Sequence, residues 1–355
     1  MKKVKALISI LSRLYILMRS GSLCRFFFKR SLSAEYIIWI PKKFSLNYLA
    51  SDNLIKDFFF FDYLEKRGEK VITIKSPDDI IEKESKIILF NPSRNLYSNS
   101  ANYSEITRNY AEKFQNEFKH SYPTLYESSY WENKIFMHSE LYSKEIPTPK
   151  TQIIKFKDIA YEKFSKFFKS KQFLIKEVHS SSAKGVHIVR DQNSIDLLKT
   201  KIPKNMKVIT QELINMRRDL RVILVGGNIV LHYWRINNKC EWQPTSTSYG
   251  SSVDFENFPI KWKDEIEGYF KRLNIISGAF DICWHEDNLS TQPLVLEIST
   301  FFQPNPKKGS GIISDYGEWK NTVSLKEDGY LYKHINQIKE IQNKILKEIL
   351  RECSL

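Results

Sequence analysis

Cysteine, glycine and proline are all scarce in this chain, and no long hydrophobic run occurs. The four cysteines, Cys24, Cys240, Cys283 and Cys353, stand far apart with no CxxC pair. That spacing excludes a disulfide framework and a four-thiolate zinc site, and it suits a reducing cytoplasm. Gly and Pro number 12 each, while 42% of the 355 residues are hydrophobic and 14% aromatic. A collagen-like, low-complexity or disordered polymer is thereby excluded, and the length leaves room for two or three domains at roughly 100–200 residues each. No apolar stretch reaches the ~18–20 residues of a membrane-spanning helix, because Arg13, Arg19 and Arg25 interrupt the N-terminal run. No small-x-small cleavage site follows that run, so secretion is not expected.

Acidic residues are missing from the start of the chain. Lys2, Lys3, Lys5, Arg13, Arg19, Arg25, Lys29 and Arg30 precede the first acid, Glu35, and carry +8 of the formal +14. Leu7, Leu11, Leu14 and Met18 fall at helical spacing, and Phe26, Phe27 and Phe28 form a second apolar cluster. Residues 1–34 therefore read as a basic amphipathic segment. It suits an anionic inner-leaflet surface, or docking on the protein's own body or on a second subunit.

From Glu35 onward strands alternate with helices. Residues 36–40, 70–74 and 86–90 read as strands and residues 53–66 and 103–120 as helices, a small open α/β unit over 35–125. After a Ser, Asn and Tyr-rich seam, a helix is expected over 131–142, ended by Pro147 and Pro149. Strands follow at 151–154, 173–177, 186–189 and 208–211, with helices over 159–168 and 194–201. Strands 221–225 and 229–235 are joined by Gly226-Gly227-Asn228, a hairpin turn. A helix over 262–273, strands at 277–283 and 294–297 and a helix over 331–350 close the chain. The fold class is α/β (α+β), with domains at 35–125, 126–214 and 215–355.

Several charged residues sit where charge is costly. Lys176 interrupts the apolar strand Phe173-Leu174-Ile175-Lys176-Glu177, so it must be paired or face a cleft. The small polar loop Ser180-Ser181-Ser182-Ala183-Lys184-Gly185 lets backbone N–H groups approach phosphate oxygens, although it is no Walker A sequence. Asp281 and Glu297 lie in the apolar strands Ser277–Cys283 and Leu294–Ile298. Either a divalent cation on substrate phosphates or a buried ion pair with Arg221 and Arg235 would offset their burial. Those arginines could equally hold a carboxylate or phosphoryl group. His179, His187, His232 and His285 show no metal-binding spacing and read as structural. No Ser-His-Asp or Cys-His set stands out.

Taken in order, "NKIFMHSELYSKEIPTPKT", "FLIKEVHSSSAKGV", "ITQELI", "RDLRVILVGGNIVLHYWR", "SGAFDICW" and "LVLEIST" resemble the motifs of the ATP-grasp superfamily over roughly residues 130–305. That superfamily has the fold of D-alanine–D-alanine ligase, glutathione synthetase and the ribosomal-protein glutamate ligase. The resemblance implies an ATP-grasp fold behind a pre-ATP-grasp domain, with ATP and Mg2+ as cofactors. It implies that Lys134 and Lys176 neutralise the α- and β-phosphates, that residues 180–185, including Ser181, Ser182 and Gly185, close over them, and that Glu212, Leu213 and Ile214 form the adenine-binding hinge. Arg221 and Arg235 correspond to the pair that holds the transferred phosphoryl group and the reacting carboxylate. Asp281 and Glu297 correspond to the metal ligands. The family's usual third ligand, an Asn two residues after the glutamate, is here Ser299. The segment Phe301-Phe302-Gln303-Pro304-Asn305-Pro306 is also unusual and suggests a divergent branch.

The implied activity is carboxylate–amine ligation through an acyl phosphate, with ADP formed. Residues 242–258, among them Trp242, Gln243, Thr245, Ser248 and Tyr249, are expected to border the acceptor pocket. Their hydroxyls and aromatics suit a sugar or amino-acid group. With the basic N-terminus this points to a glycan-linked carboxylate and an amine acceptor, in the cytoplasm at the inner membrane face. Alternatives are a peptide- or protein-modifying ligase, a phosphotransferase, and a non-catalytic nucleic-acid or regulatory binder. A nucleic-acid partner is not expected, since the excess charge is concentrated at one end and no aromatic-basic module is present. An oligomer is compatible with the sequence.

Overall fold

The computed structural model describes residues 2–31, 33–92, 103–179, 185–239, 242–322, 324 and 326–353. In chain order the elements are α1 (Lys2–Met18), α2 (Leu23–Phe28), β1 (Tyr36–Trp39), α3 (Leu46–Leu49), α4 (Asp52–Lys66), β2 (Val71–Ile74), β3 (Ile87–Leu89), α5 (Tyr103–Glu117), β4 (His120–Tyr122) and α6 (Leu125–Ser129). Then come α7 (Lys134–Ser143), β5 (Thr151–Lys155), α8 (Tyr161–Phe168), β6 (Phe173–Glu177), β7 (Val186–Val189), α9 (Gln192–Leu198), β8 (Lys207–Glu212), β9 (Arg218–Val225) and β10 (Asn228–Ile236). The last are β11 (Ser252–Asp254), α10 (Lys263–Leu273), β12 (Ser277–Cys283), β13 (Leu294–Ser299), β14 (Ile312–Ile313), α11 (Tyr316–Lys320) and α12 (Tyr330–Cys353).

Two compact units emerge. The first holds residues 1–128, 301–308 and 318–355, and the second holds 129–300 and 309–317. The first unit is built on a parallel sheet in the order β2-β1-β3-β4. Its short apolar strands are buried along nearly their whole length, as expected of a sheet covered on its faces. Trp39, Phe90 and Phe114 interlock edge to face, at centroid distances of 5.1 to 5.8 Å, and join the sheet to α5. On α4, Leu54, Ile55, Phe58, Phe60, Phe61 and Leu64 are all fully buried. This near-encirclement arises because α4 is packed by β2, α2 and the long α12. The helix α12, expected to belong with 215–355, packs in the first unit, on α4. The odd segment at 301–306 also joins that unit: Lys56 donates from Nζ to the Phe302 carbonyl at 2.8 Å.

The second unit holds two antiparallel sheets. One runs β5-β8-β6-β7 and the other β13-β12-β9-β10-β11-β14. In the four-stranded sheet, Phe173, Ile175, Val189 and Val208 point into a core with Phe164 and Phe168 of α8 and Ile195 and Leu198 of α9. Side chains alternate along a strand, so Leu174 and Lys176 lie on the opposite face. The six-stranded sheet is sided in the same way. Phe280 packs on Phe270 of α10 at 5.7 Å, which turns its neighbour Asp281 to the other face. The β9–β10 hairpin turns on Gly226 and Gly227, with φ of 57° and 82°, a conformation that only glycine adopts without strain.

Several elements differ in extent from the sequence reading. The helix expected over 131–142 is α7, which starts later, at Lys134, after a turn in which Glu132 takes φ 47° and which separates it from the short α6. Strand 221–225 begins earlier, at Arg218, because Asp219 and Arg235 pair across the ladder. The short β4, β11 and β14 carried no pattern long enough to stand out.

Candidate active site

The charged groups singled out in the sequence converge within the second unit. Asn133 caps α7 by accepting from the Phe136 N–H at 3.2 Å, which starts the helix at Lys134 and sets His138 four residues on, along the same face. The Lys134 N–H also donates to the Val178 carbonyl at 3.4 Å, just beyond β6, so the start of α7 is tied to the strand that carries Lys176.

The six-stranded sheet supplies the other wall. Glu297 lies opposite Asp281 in the ladder, Asp281 opposite Arg221, and Asp219 opposite Arg235. Cross-strand partners and alternate residues share a face, so Glu297, Asp281, Arg221, Asp219 and Arg235 all project from one side, with Ser299 two residues beyond Glu297. Asp281 accepts from Arg221 Nη1 at 2.8 Å through Oδ1 and from Arg235 Nη2 at 2.8 Å through Oδ2. Arg235 Nε donates to Asp219 Oδ1 at 2.9 Å, with a second bond from Nη2 to Oδ2. The ion-pair reading of Asp281 is therefore realised, and the arginines are rigidly held. Burial opposes ionisation of Asp281, but Arg221 and Arg235 outweigh it and hold its carboxyl below the usual range.

The lysines carry the opposite electrostatic signature. Burial pushes the Lys176 ammonium down to about 8, aided by Lys134 and resisted by Glu297. Lys134 is 8% exposed, and burial lowers it too, against the attraction of Glu297, Glu132 and Glu177. Glu297 thus acts on both lysines and Asp281 acts on Lys176, which places the two charged faces around one space. His138 lies there as well. It is 4% exposed, neither ring nitrogen has a partner, and burial together with Lys176 and Lys134 pushes it down to about 3. It is therefore neutral at physiological pH.

Asp219 and His138 are the two residues of this cluster to which the sequence reading gave no role. Asp219 is visible in retrospect as a second charge in the same strand, two residues before Arg221, and His138 as the residue one helical turn after Lys134. Of the phosphate loop, Ser181 and Ser182 lie outside the described residues; Gly185 closes the loop's base by accepting from the Glu177 N–H at 2.8 Å. At the expected hinge, the Glu212 N–H donates to the Lys150 carbonyl at 2.9 Å and Oε1 accepts from the Lys150 N–H at 2.6 Å. Among the described residues no backbone bond engages the Leu213 or Ile214 N–H. In the segment expected to border the acceptor, Gln243 donates to Asn237 Oδ1 at 2.9 Å, and Trp242 has a buried Nε1 with no acceptor. His179 and His187 are hydrogen-bonded to the Glu132 carbonyl and the Glu177 carboxylate at 2.8 Å each.

A phosphate-bearing ligand fits this donor set. The Arg221 Nε is buried with no acceptor, and among the described residues Lys176 has no ion pair within 4 Å, so both retain donor capacity for an anion. Among the described residues no group of three or more His, Cys, Asp or Glu could hold a metal alone. A pair of facing carboxylates and a hydroxyl is an all-oxygen set, and it suits magnesium, which binds through one or two carboxylates and leaves its remaining positions to water and phosphate.

Residues 131–254 match the sequence family described as "RimK-like ATP-grasp domain". No curated protein matches the chain by sequence. Among solved structures, a D-alanine–D-alanine ligase from Bacillus anthracis is 15% identical, with TM-score 0.54, over 90% of this chain and 97% of that one. The D-cycloserine synthetase DcsG is 10% identical, with TM-score 0.53, over 86% and 99%. The ATP-grasp ligase PsnB, complexed with a phosphomimetic variant of its minimal precursor, Mg and ADP, is 12% identical, with TM-score 0.52, over 87% and 100%. At these identities the likeness is one of fold.

Proposed function

From an ATP-grasp fold whose residues 131–254 carry a RimK-like ATP-grasp domain, we propose that this chain is an ATP- and magnesium-dependent, ADP-forming carboxylate–amine ligase. The observation that carries the reading is the meeting of Lys134 and Lys176 with Asp281, Glu297, Arg221 and Arg235 around one space in the second unit. Lys134 and Lys176 receive the α- and β-phosphates. Leu213 and Ile214 present backbone groups to the adenine edge. Asp281, Glu297 and the Ser299 hydroxyl hold magnesium, which when bound neutralises phosphate oxygens. Arg221 and Arg235, braced by Asp281 and Asp219, orient the γ-phosphoryl group and the substrate carboxylate. A carboxylate oxygen attacks the γ-phosphorus and the bond to the ADP oxygen breaks. The amine nitrogen then attacks the acyl carbon, inorganic phosphate leaves with the bonding pair, and the nitrogen's proton is released to phosphate or solvent. Positioning and charge neutralisation carry such a reaction, so no nucleophilic side chain is required.

The acid is read as the carboxylate of a cell-surface glycan precursor, supported by the hydroxyl and aromatic residues of 242–258. Work at an anionic membrane surface in the cytoplasm is supported by α1. It buries Ile10 and Leu17 but leaves Leu7, Ile8, Leu11, Tyr15 and Met18 exposed, a second apolar stripe at helical spacing. No helix among the described residues is long and apolar enough to cross a membrane. The second reading is a peptide- or protein-modifying ligase; the fold is similar to that of PsnB, an ATP-grasp ligase solved with a phosphomimetic variant of its minimal precursor.

The test supplies ATP, magnesium, candidate acids and hydroxylamine. A hydroxamate identified by mass, formed with ADP, names the acid and establishes the acyl-phosphate step; ADP release that never yields a hydroxamate with any acid would point to a phosphotransferase. Asp281→Ala and Glu297→Ala should each reduce ADP release by at least 100-fold, on the order expected for removing a group that neutralises the transferring phosphoryl. Wild-type rates in either variant contradict the metal assignment.

A further inference from the structure

The first unit holds a groove of about 1040 Å3 that takes no part in the proposed ligation. Its walls come from the end of α2, the loop before α3 and the edge strand β2. The volume lies just above the ~300–1,000 Å3 typical of sites for small organic ligands. Part of the lining is hydrocarbon. The Phe27 and Phe44 rings stack at 5.7 Å, and Phe28, Phe44 and Ile81 remain 72%, 49% and 75% exposed.

The rest of the lining is strongly cationic. Lys29, Arg30, Lys43, Lys75 and Lys86 stand against two acids, Asp79 and Glu82. Among the described residues, only Lys29 of these five has a carboxylate within 4 Å, Glu65 at 3.4 Å. Lys43, Lys75 and Lys86 meet neutral groups. Lys43, 4% exposed, donates to the Phe27 carbonyl at 2.7 Å and to the Thr73 hydroxyl. Lys86 donates to the Ala34 carbonyl at 3.1 Å, and the Lys75 ammonium sits 4.9 Å from the centre of the Phe44 ring. Burial and the charge of Lys75 hold the Lys43 ammonium down to about 8, and no acid offsets them. A buried cation answered only by carbonyls, a hydroxyl and ring faces retains a field that an anion would neutralise.

We propose that this groove binds an anionic amphiphile, a single hydrocarbon chain ending in a phosphate monoester, with the chain against Phe27, Phe28 and Phe44 and the phosphate between Lys43 and Lys75. A small inorganic anion would leave the exposed rings in water, and a neutral lipid would leave the cations uncompensated. Only a ligand with both parts meets both kinds of wall. The site is independent of the ligase reading.

Calorimetric titration of the full chain with dodecyl phosphate, below its micelle concentration, tests this against inorganic phosphate and neutral dodecyl maltoside. Dodecyl phosphate should bind at least tenfold more tightly than either. Lys75→Glu and Phe44→Asp, both at exposed side chains, should each weaken it at least tenfold while leaving the circular dichroism spectrum unchanged. Equal affinity for inorganic phosphate would reduce the groove to an anion site, and equal affinity for the maltoside to a non-specific apolar surface. Affinity unmoved by both variants would place the ligand elsewhere. Each of these results overturns the proposal.

Discussion

Lys176 shows how one residue can carry an expectation from sequence to chemistry. Burial pushes its ammonium down to about 8, against the attraction of Glu297, with which it makes no ion pair within 4 Å. Below that pH the side chain is a cation, and above it the site loses a charge that the nucleotide would use. An anion bound beside it raises the pKa again, so nucleotide binding near pH 8 should be accompanied by proton uptake. Calorimetry of ATP binding in buffers of differing ionisation enthalpy measures that uptake, which Lys176→Met should abolish. Uptake unchanged in the variant would assign the proton to another group. The affinity for ATP should correspondingly fall as pH rises through 8.

At the scale of elements, Asp52 is the tie between three helices. It heads α4, accepts from Arg13 Nη2 of α1 at 3.2 Å and meets His334 Nε2 of α12 at 3.1 Å. Burial opposes its charge, but His334 and Arg13 outweigh it and hold the carboxyl well below its ordinary value of 3.8. A depressed carboxylate contributes stability that is complete above the unfolded value and is lost as pH falls through the folded one. Asp52→Asn should therefore lower the unfolding free energy of the first unit by about 2 kcal/mol at pH 7, on the scale of a partly buried ion pair. The deficit should narrow below about pH 4. Urea unfolding at pH 7 and pH 3 checks this, and an equal deficit at both would show that packing, not charge, accounts for the loss.

At the scale of the whole molecule, the net charge of +14 is concentrated at one end, and α1 in that region exposes an apolar stripe. The full chain should co-sediment with anionic but not zwitterionic vesicles. Binding should weaken as salt is raised to ~0.5 M, where screening acts within a few ångströms. The double variant Leu11→Asp, Tyr15→Asp should weaken it at least tenfold. Binding indifferent to the variant and to residues 1–33 would remove membrane contact from the proposed function.

Much of this was legible before any coordinates, and the reasons differ between parts. Strand 277–283, the β9–β10 hairpin and helix α12 could be read directly, since local periodicity and glycine stereochemistry act within a few residues. The charges at Lys176, Asp281 and Glu297 were conspicuous because a charge in an apolar strand needs a partner whatever the fold. What those charges do to one another required tertiary structure. The sequence could not show that Asp281 is held by arginine, because that depends on register: Arg221 lies 60 residues away and becomes its neighbour only through β9–β12 pairing. His138 escaped notice because a lone histidine in a helix reveals its surroundings only after α7 docks beside β6. The groove between α2 and β2, the attachment of α12 to the first unit and the second apolar face of α1 likewise belong to packing. Side-chain pattern determines which face of an element is apolar, and only the assembled chain decides what covers it.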